Sequence, residues 1–466
     1  MPVIPDLKAV GRFFWIQRKR RMFSINKWYC RAMALPTGLV IGSLAIVSGQ
    51  DWDEFRGPGG TGYSAATNLP LSWTENENIG WKTLVPGRGW SSPVVRDGEI
   101  WLTASEEIQL SPEDRKKKME SARIPGLSPV ESVTLLALCF DEETGRLKKK
   151  FVLGDSSEPP LIHSLNSFSS PTAVMDDRSV FCSFGTFGTW CIDRKTKLVK
   201  WENRSLQLDH ETGPGSSPIL WNDLLIFNCD GIDEQFVVAL HKDTGQVVWK
   251  TNRSGELNAR DSLRKAFSTP IIVSVGGQQQ LVSAGADWLY GYEPETGREL
   301  WRMSYGKLGF SNVPRPLYEN GLLYVCTGYA RSSLFAIRFD DPSGPDLEDV
   351  LWRYDTQVPT MPTPILTQGL LVMVSDRGIA TCLDAVTGEV YWQKRLGGEF
   401  ASSPILADGH LFAGNRDGEV FVIRPGKEYA LISTNELDGD IMATPAAVSQ
   451  HLLIRTRDSL YRIEKD

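Results

Sequence analysis

The chain has 466 residues, 41% of them hydrophobic and 10% aromatic, with 42 glycines and 27 prolines, enough apolar material for one large core or two ordinary ones. Its formal net charge is −7, and residues 1–33 set eight basic side chains against Asp6, so the remainder carries about −14 and nucleic acid is excluded as a partner. None of the seven cysteines forms a CxxC pair, which leaves a zinc ribbon or a thioredoxin-like motif without ligands.

The basic opening leads into the apolar run "ALPTGLVIGSLAIV" (34–47), 14 residues against the ~20 that a membrane-spanning helix needs. With Val47-Ser48-Gly49 behind it, this pattern predicts a signal peptide over 1–49 cleaved before Gln50, the alternative being a signal anchor. The protein is therefore expected outside the cytoplasm, periplasmic or extracellular, touching a membrane only through an uncleaved anchor. "GPGGTG" (57–62) satisfies GxGxxG in form, but no strand precedes it and Pro58 interrupts it, so it reads as a turn.

Next comes "NENIGWKTLVPG" (76–87), which resembles the tail of later segments such as "HKDTGQVVWK" (241–250) while no repeat precedes it. The repeats themselves start with Ser/Thr-Pro before an apolar strand: "SSPVV" (91), "SSPTA" (169), "SSPIL" (216), "STPII" (268), "PTPIL" (362), "SSPIL" (402) and "ATPAA" (443). "NVPRPL" (312) fills the gap between the fourth and the fifth, which makes eight starts. Two further strands follow each start, then in most repeats Thr-Gly and a Trp four residues after the Gly, as in "CLDAVTGEVYW" (382–392). Each repeat thus reads as a four-stranded meander.

One such sheet cannot bury both faces, and eight packed radially can. The predicted fold is an all-β, eight-bladed propeller over 50–466, a single domain. The last repeat, "ATPAAVSQHLLIRTRDSLYRIEKD", ends before any Trp, so Trp81 is predicted to supply the outer strand of the eighth blade and to close the ring. A charged insertion (105–132) in the first blade contains "SPEDRKKKMESA", a helix start at Ser111-Pro112 with Glu113 and Asp114 in its first turn. A second, acidic insertion, "DDPSGPDLED" (340–349), replaces the Thr-Gly turn of the fifth blade.

The Ser-Pro strand followed by Ala-Leu-Asp-x-x-Thr-Gly-x-x-x-Trp resembles the pyrroloquinoline quinone (PQQ)-like propeller repeat family. "FRGPGGTG", "GRGWSSPVV", "HETGPGSSPIL" and "NVPRPLY" resemble in particular an exported group of that family common in planctomycete-type bacteria. The resemblance implies two kinds of function. One is a cofactor-free binding scaffold, as in the outer-membrane protein assembly lipoprotein, for an envelope protein, a peptide or a glycan. The other is a quinoprotein alcohol dehydrogenase, with PQQ and calcium in the central channel and an acid such as Glu211 as base. The sequence lacks the adjacent Cys-Cys pair of such dehydrogenases, and the scaffold is the preferred reading, as a monomer.

In a propeller the first strand of each blade is innermost, so residues preceding it surround one mouth of the channel. Three places before each proline stand Trp90, Phe168, Gly215, Phe267, Ser311, Met361, Ala401 and Met442, either a flat apolar platform or wedges between blades. Arg88, His163, Asn166, His210, Glu211, Arg260, Arg264, Lys265, Asn312 and Arg315 lie in the same class of loop. Together with Trp90, Phe168 and Phe267 they form the candidate binding site, for which no catalytic or metal-ligating role is assigned. Cys182 and Cys191 flank the turn "SFGTFGTW", where a cross-hairpin disulfide and two buried thiols are both open readings.

Overall fold

The computed structural model describes residues 51–466 apart from 121 and 123, and the export signal read over 1–49 lies outside them. Eight antiparallel four-stranded sheets follow one another as the blades of a propeller. Their innermost strands are Val94–Arg96, Val174–Met175, Ile219–Trp221, Ile271–Val275, Leu317–Glu319, Ile365–Thr367, Ile405–Ala407 and Ala446–Val448. Strands inside the blades are buried on both faces: all seven residues of Leu224–Asp230 are buried. On the outer strand Val247–Asn252 only Trp249 is. This explains the sequence pattern, continuous apolar runs within a blade and one Trp at its rim.

Six blades carry that Trp and are joined by it to the next; the first has Lys149 and the seventh Ser433 at the matching position. In the third blade Trp249 Nε1 donates to Pro294 O at 3.1 Å, in the fifth Trp352 donates to Ala385 O at 3.1 Å, and in the sixth Trp392 donates to Gly426 O at 2.9 Å. The Gly of the neighbouring Thr-Gly turn is where the indole lands. At Gly145 (φ 67°) a Cβ would stand 2.5 Å from the Trp81 ring, so the residue is both left-handed and in ring contact. Where the acidic insertion removes the turn, Trp301 Nε1 donates to Gln280 Oε1 at 2.7 Å. Gln280 Nε2 in turn donates to Pro342 O at 2.7 Å, inside the insertion.

The opening strand Ile79–Leu84 pairs antiparallel with Ser459–Glu464 and is the outermost strand of the eighth blade. Trp81 Nε1 donates to Glu142 O of the first blade at 3.1 Å, so the ring is closed by a strand made first and placed last.

The Ser/Thr of most repeat starts form two arcs of hydrogen bonds that make up an inner ring. Ser92 N donates to Thr172 Oγ1 (2.9 Å), Thr172 N to Ser217 Oγ (3.0 Å) and Ser217 N to Thr269 Oγ1 (3.0 Å). Arg315 N donates to Thr363 Oγ1 (3.0 Å), Thr363 N to Ser403 Oγ (2.9 Å) and Ser403 N to Thr444 Oγ1 (3.0 Å). Each of these residues lies two places before an innermost strand. Two repeat starts are thereby corrected: the equivalent residues are Thr172-Ala173 in the second blade and Arg315-Pro316 in the fifth, two positions later than Pro171 and Pro314. The hydroxyl slot sets the register, and the proline is the looser marker.

Residues 51–64 fill one end of the channel. Trp52 pairs with Val95 of the first blade, and Asp53 O accepts from Met175 N at 2.9 Å in the second. Arg56 is fully buried and donates to Thr363 O, Pro364 O and Pro404 O at 2.9 to 3.3 Å. Tyr63–Ser64 adds a fifth, parallel strand inside the seventh blade, against Leu406 and Ala407. The glycines of "GPGGTG" make this passage feasible, since a Cβ at Gly60 (φ 66°) would lie 1.6 Å from Arg315 Nη1. In the first blade the strands Glu99–Ile108 and Ser132–Asp141 pair over ten residues each and carry the helix Pro112–Met119. Ser111 Oγ caps that helix by accepting from Asp114 N. Leu127–Ser128 of the excursion pairs with Ile162–His163, which ties it to the loop entering the second blade. All six cysteines among the described residues are free. Cys182 pairs across the hairpin with Trp190, and Phe181 with Cys191, so the two thiols point to opposite faces.

Candidate functional site

At the mouth opposite the filled end, the loops entering successive blades clasp one another. Arg88 is held in extended backbone against Ser105, and its Nη2 donates to Ser164 O (2.9 Å) and Asn166 O (2.8 Å) in the next loop. Its guanidinium also lies 5.0 Å above the Trp90 ring. Asn166 Nδ2 passes the contact on to Thr212 O (2.9 Å) and Pro214 O (3.1 Å), in the loop entering the third blade. Glu211, at φ 56°, pairs through Oε2 with Lys265 of the fourth blade. Lys265 Nζ sits 5.0 Å from the Phe310 ring, and Lys265 O accepts from Ser311 N at 2.7 Å.

The structure thus brings Arg88, Trp90, Asn166, Glu211, Lys265 and Asn312 into one arc across five blades, with His163 and His210 beside it. Burial and the nearby Lys265 charge both hold His163 below the ordinary imidazole range. The other candidates are placed elsewhere. Phe168 is 0% exposed and meets Phe187 edge to face at 5.7 Å. Phe267 packs under Gly215. Arg264 stays within its own loop, donating to Asn258 O at 2.7 Å, and Arg260 is exposed. Arg315 belongs to the filled end: it contacts Glu54 Oε2 at 3.1 Å and Phe55 O at 2.9 Å.

Between the second and third blades this arc borders a cleft of about 500 Å³. Leu161, Ile162, Phe187, Leu208 and Pro214 form its apolar walls, and Gln207, Asp209, His210, Glu211 and Asp233 its polar ones. Phe187 and Asp233 come from turns between second and third strands, which emerge at the same mouth as the entry loops. Attention to the residues before each Ser/Thr-Pro passes over them, although the glycines of "SFGTFGTW" mark one such turn.

His210 is the informative polar group. Its Nε2 accepts from Thr186 N at 3.2 Å, and burial pushes its pKa down to about 4, so the ring is neutral with its proton on Nδ1. That Nδ1–H has no partner, and neither has Glu211 Oε1 on the adjacent residue. Both atoms are themselves buried, on residues that line the cleft. The fit to PQQ and calcium is poor. Among the described residues no group of three or more His, Cys, Asp or Glu could hold a metal ion, and the lumen near Arg315 is taken by residues 54–64.

Comparisons with known proteins agree with this architecture. A profile of the family PQQ_2, described as "Outer membrane protein assembly factor BamB", matches residues 233–344 and 337–442. The chain is 23% identical over 423 residues to an outer membrane protein assembly factor BamB of Shewanella oneidensis, covering 85% of this chain and 99% of that one. A BamB of Francisella salina is 25% identical over 169 residues, 35% of this chain and 28% of the relative. Among solved structures, BamB from Moraxella catarrhalis superposes with a TM-score of 0.51 at 12% identity, covering 72% of this chain and 99% of that one. With its eight blades, its Thr-Gly-to-Trp joints and these matches, the chain is similar to the PQQ-like β-propeller repeat family.

Proposed function

We propose that this chain is an exported binding scaffold that holds an extended segment of an envelope protein at the mouth carrying the Arg88–Lys265 arc. The supporting observation is a cleft that sets the apolar Leu161, Phe187 and Leu208 against the polar Gln207, Asp209 and Glu211. A backbone amide finds hydrogen-bonding groups on the polar wall, and apolar side chains find the other. The name of the relatives, outer membrane protein assembly factor, is in keeping with a protein partner. Among the described residues no helix is long and apolar enough to cross a membrane.

A photo-crosslinking residue at Gln207, used in the native envelope, tests this. The expected result is one discrete adduct, lost in Leu161→Glu, a change at a half-exposed cleft residue that should leave the melting temperature unchanged. A discrete adduct from a probe at Asp177, on the filled side, with none from Gln207 would overturn the assignment. So would a Gln207 adduct indifferent to Leu161→Glu.

A further inference from the structure

Arg455 ends the second strand of the eighth blade and is 0% exposed. Its Nη1 reaches the first blade and donates to Ser91 O (3.1 Å), Ser91 Oγ (2.8 Å) and Thr103 O (3.0 Å). Its Nε and Nη2 have no partner at all. These two atoms form one edge of the guanidinium, the fork that takes an anion with two parallel hydrogen bonds. The same molecule shows that edge in use: Arg253 Nε and Nη2 donate to the two oxygens of Asp230 at 3.0 and 2.7 Å, both side chains being equally buried.

No carboxylate faces Arg455. Burial lowers its pKa to about 9, and no neighbouring acid opposes that shift. The surroundings are rich in donors instead. Trp90 Nε1 and Ser169 Oγ are further buried groups without partners, Trp90 being the chain neighbour of Ser91 and Ser169 accepting from Ser91 N at 3.2 Å. Nor does a side chain cover the edge from residue 89, because Gly89 stands there and a Cβ would lie 2.8 Å from Nη2. A water molecule could accept these hydrogen bonds, but it would leave a buried positive charge uncompensated.

We infer that the seam between the eighth and first blades binds one small monovalent anion, a halide or a carboxylate group, on the Nε and Nη2 edge of Arg455. The anion supplies the charge that Asp230 supplies to Arg253, and it locks the blade pair where the ring closes. This site is separate from the cleft and does not depend on the peptide-binding reading.

Bromide is the probe for the test. Crystals soaked in bromide are expected to show an anomalous peak within about 3.5 Å of both Nε and Nη2. In solution at constant ionic strength, replacing gluconate by 100 mM bromide or acetate should raise the melting temperature of the whole protein by about 3 °C or more. Arg455→Met should abolish that rise. If this variant does not fold, the wild-type titration and the anomalous map decide. A melting temperature indifferent to the anion, with no bromide peak at Arg455, would overturn the proposal. A gain with bromide alone would assign a halide, and a gain with acetate alone a carboxylate.

Discussion

His210 carries its proton on Nδ1 because Nε2 accepts from Thr186, and burial moves its pKa from the ordinary 6.5 to about 4. The unfolded chain takes up a proton near pH 6.5 and the native state only near pH 4, so stability must fall as pH drops through that interval and level off below it. The loss reaches up to about 3 kcal/mol. His210→Gln keeps an acceptor for Thr186 without titrating, and it should remove that contribution from the slope, as urea unfolding at pH 4 to 7 would reveal. An undiminished slope would remove His210 from the explanation. At the filled end, Gly60→Ala forces a methyl against Arg315 at a left-handed φ and should cost about 2 kcal/mol or more. A melting point equal to wild type would mean that residues 54–64 do not sit against Arg315. The sequence made "GPGGTG" legible as a turn, but its packing against Arg315 was not, because the two are some 250 positions apart in the chain.

The joint between blades is the element that the repeat encodes. Trp and the Thr-Gly turn recur together because an indole of one blade lies on a glycine of the next, and this pairing was readable as a spacing before any contact was known. Trp81→Ala removes the joint between the eighth and first blades and should cost about 3 kcal/mol, with Trp392→Ala costing a similar amount at an ordinary joint. A Trp81→Ala variant as stable as wild type, beside a destabilised Trp392→Ala, would show that the opening strand carries no load. The repeat starts were read less well. Proline marks most of them, yet the inner ring depends on a hydroxyl, so Thr172 and Arg315 went unseen in the second and fifth blades. Arg315 breaks the hydroxyl rule because its side chain is used on Glu54 of the entering segment. The cleft was half legible: His210 and Glu211 lie in an entry loop, whereas Phe187 and Asp233 lie in turns that the repeat pattern does not mark.

Across the whole molecule, the two channel mouths are unequal. The chain's own residues 51–64 occupy one, and the clasped entry loops with their cleft form the other, so the proposed scaffold would meet a partner on a single side. This asymmetry rests on the N-terminal segment, which fills the channel and then supplies the last strand of the ring. Native-state hydrogen exchange tests that claim most directly, by comparing Ile79–Leu84 with the position-matched outer strand Val390–Arg395 of the sixth blade. Ring closure predicts that the hydrogen-bonded amides of the two strands exchange with protection equal to within about tenfold, both limited by opening of the propeller as a unit. Exchange at Ile79–Leu84 faster by about a hundredfold or more would mean that the strand detaches on its own, and would contradict the closed ring.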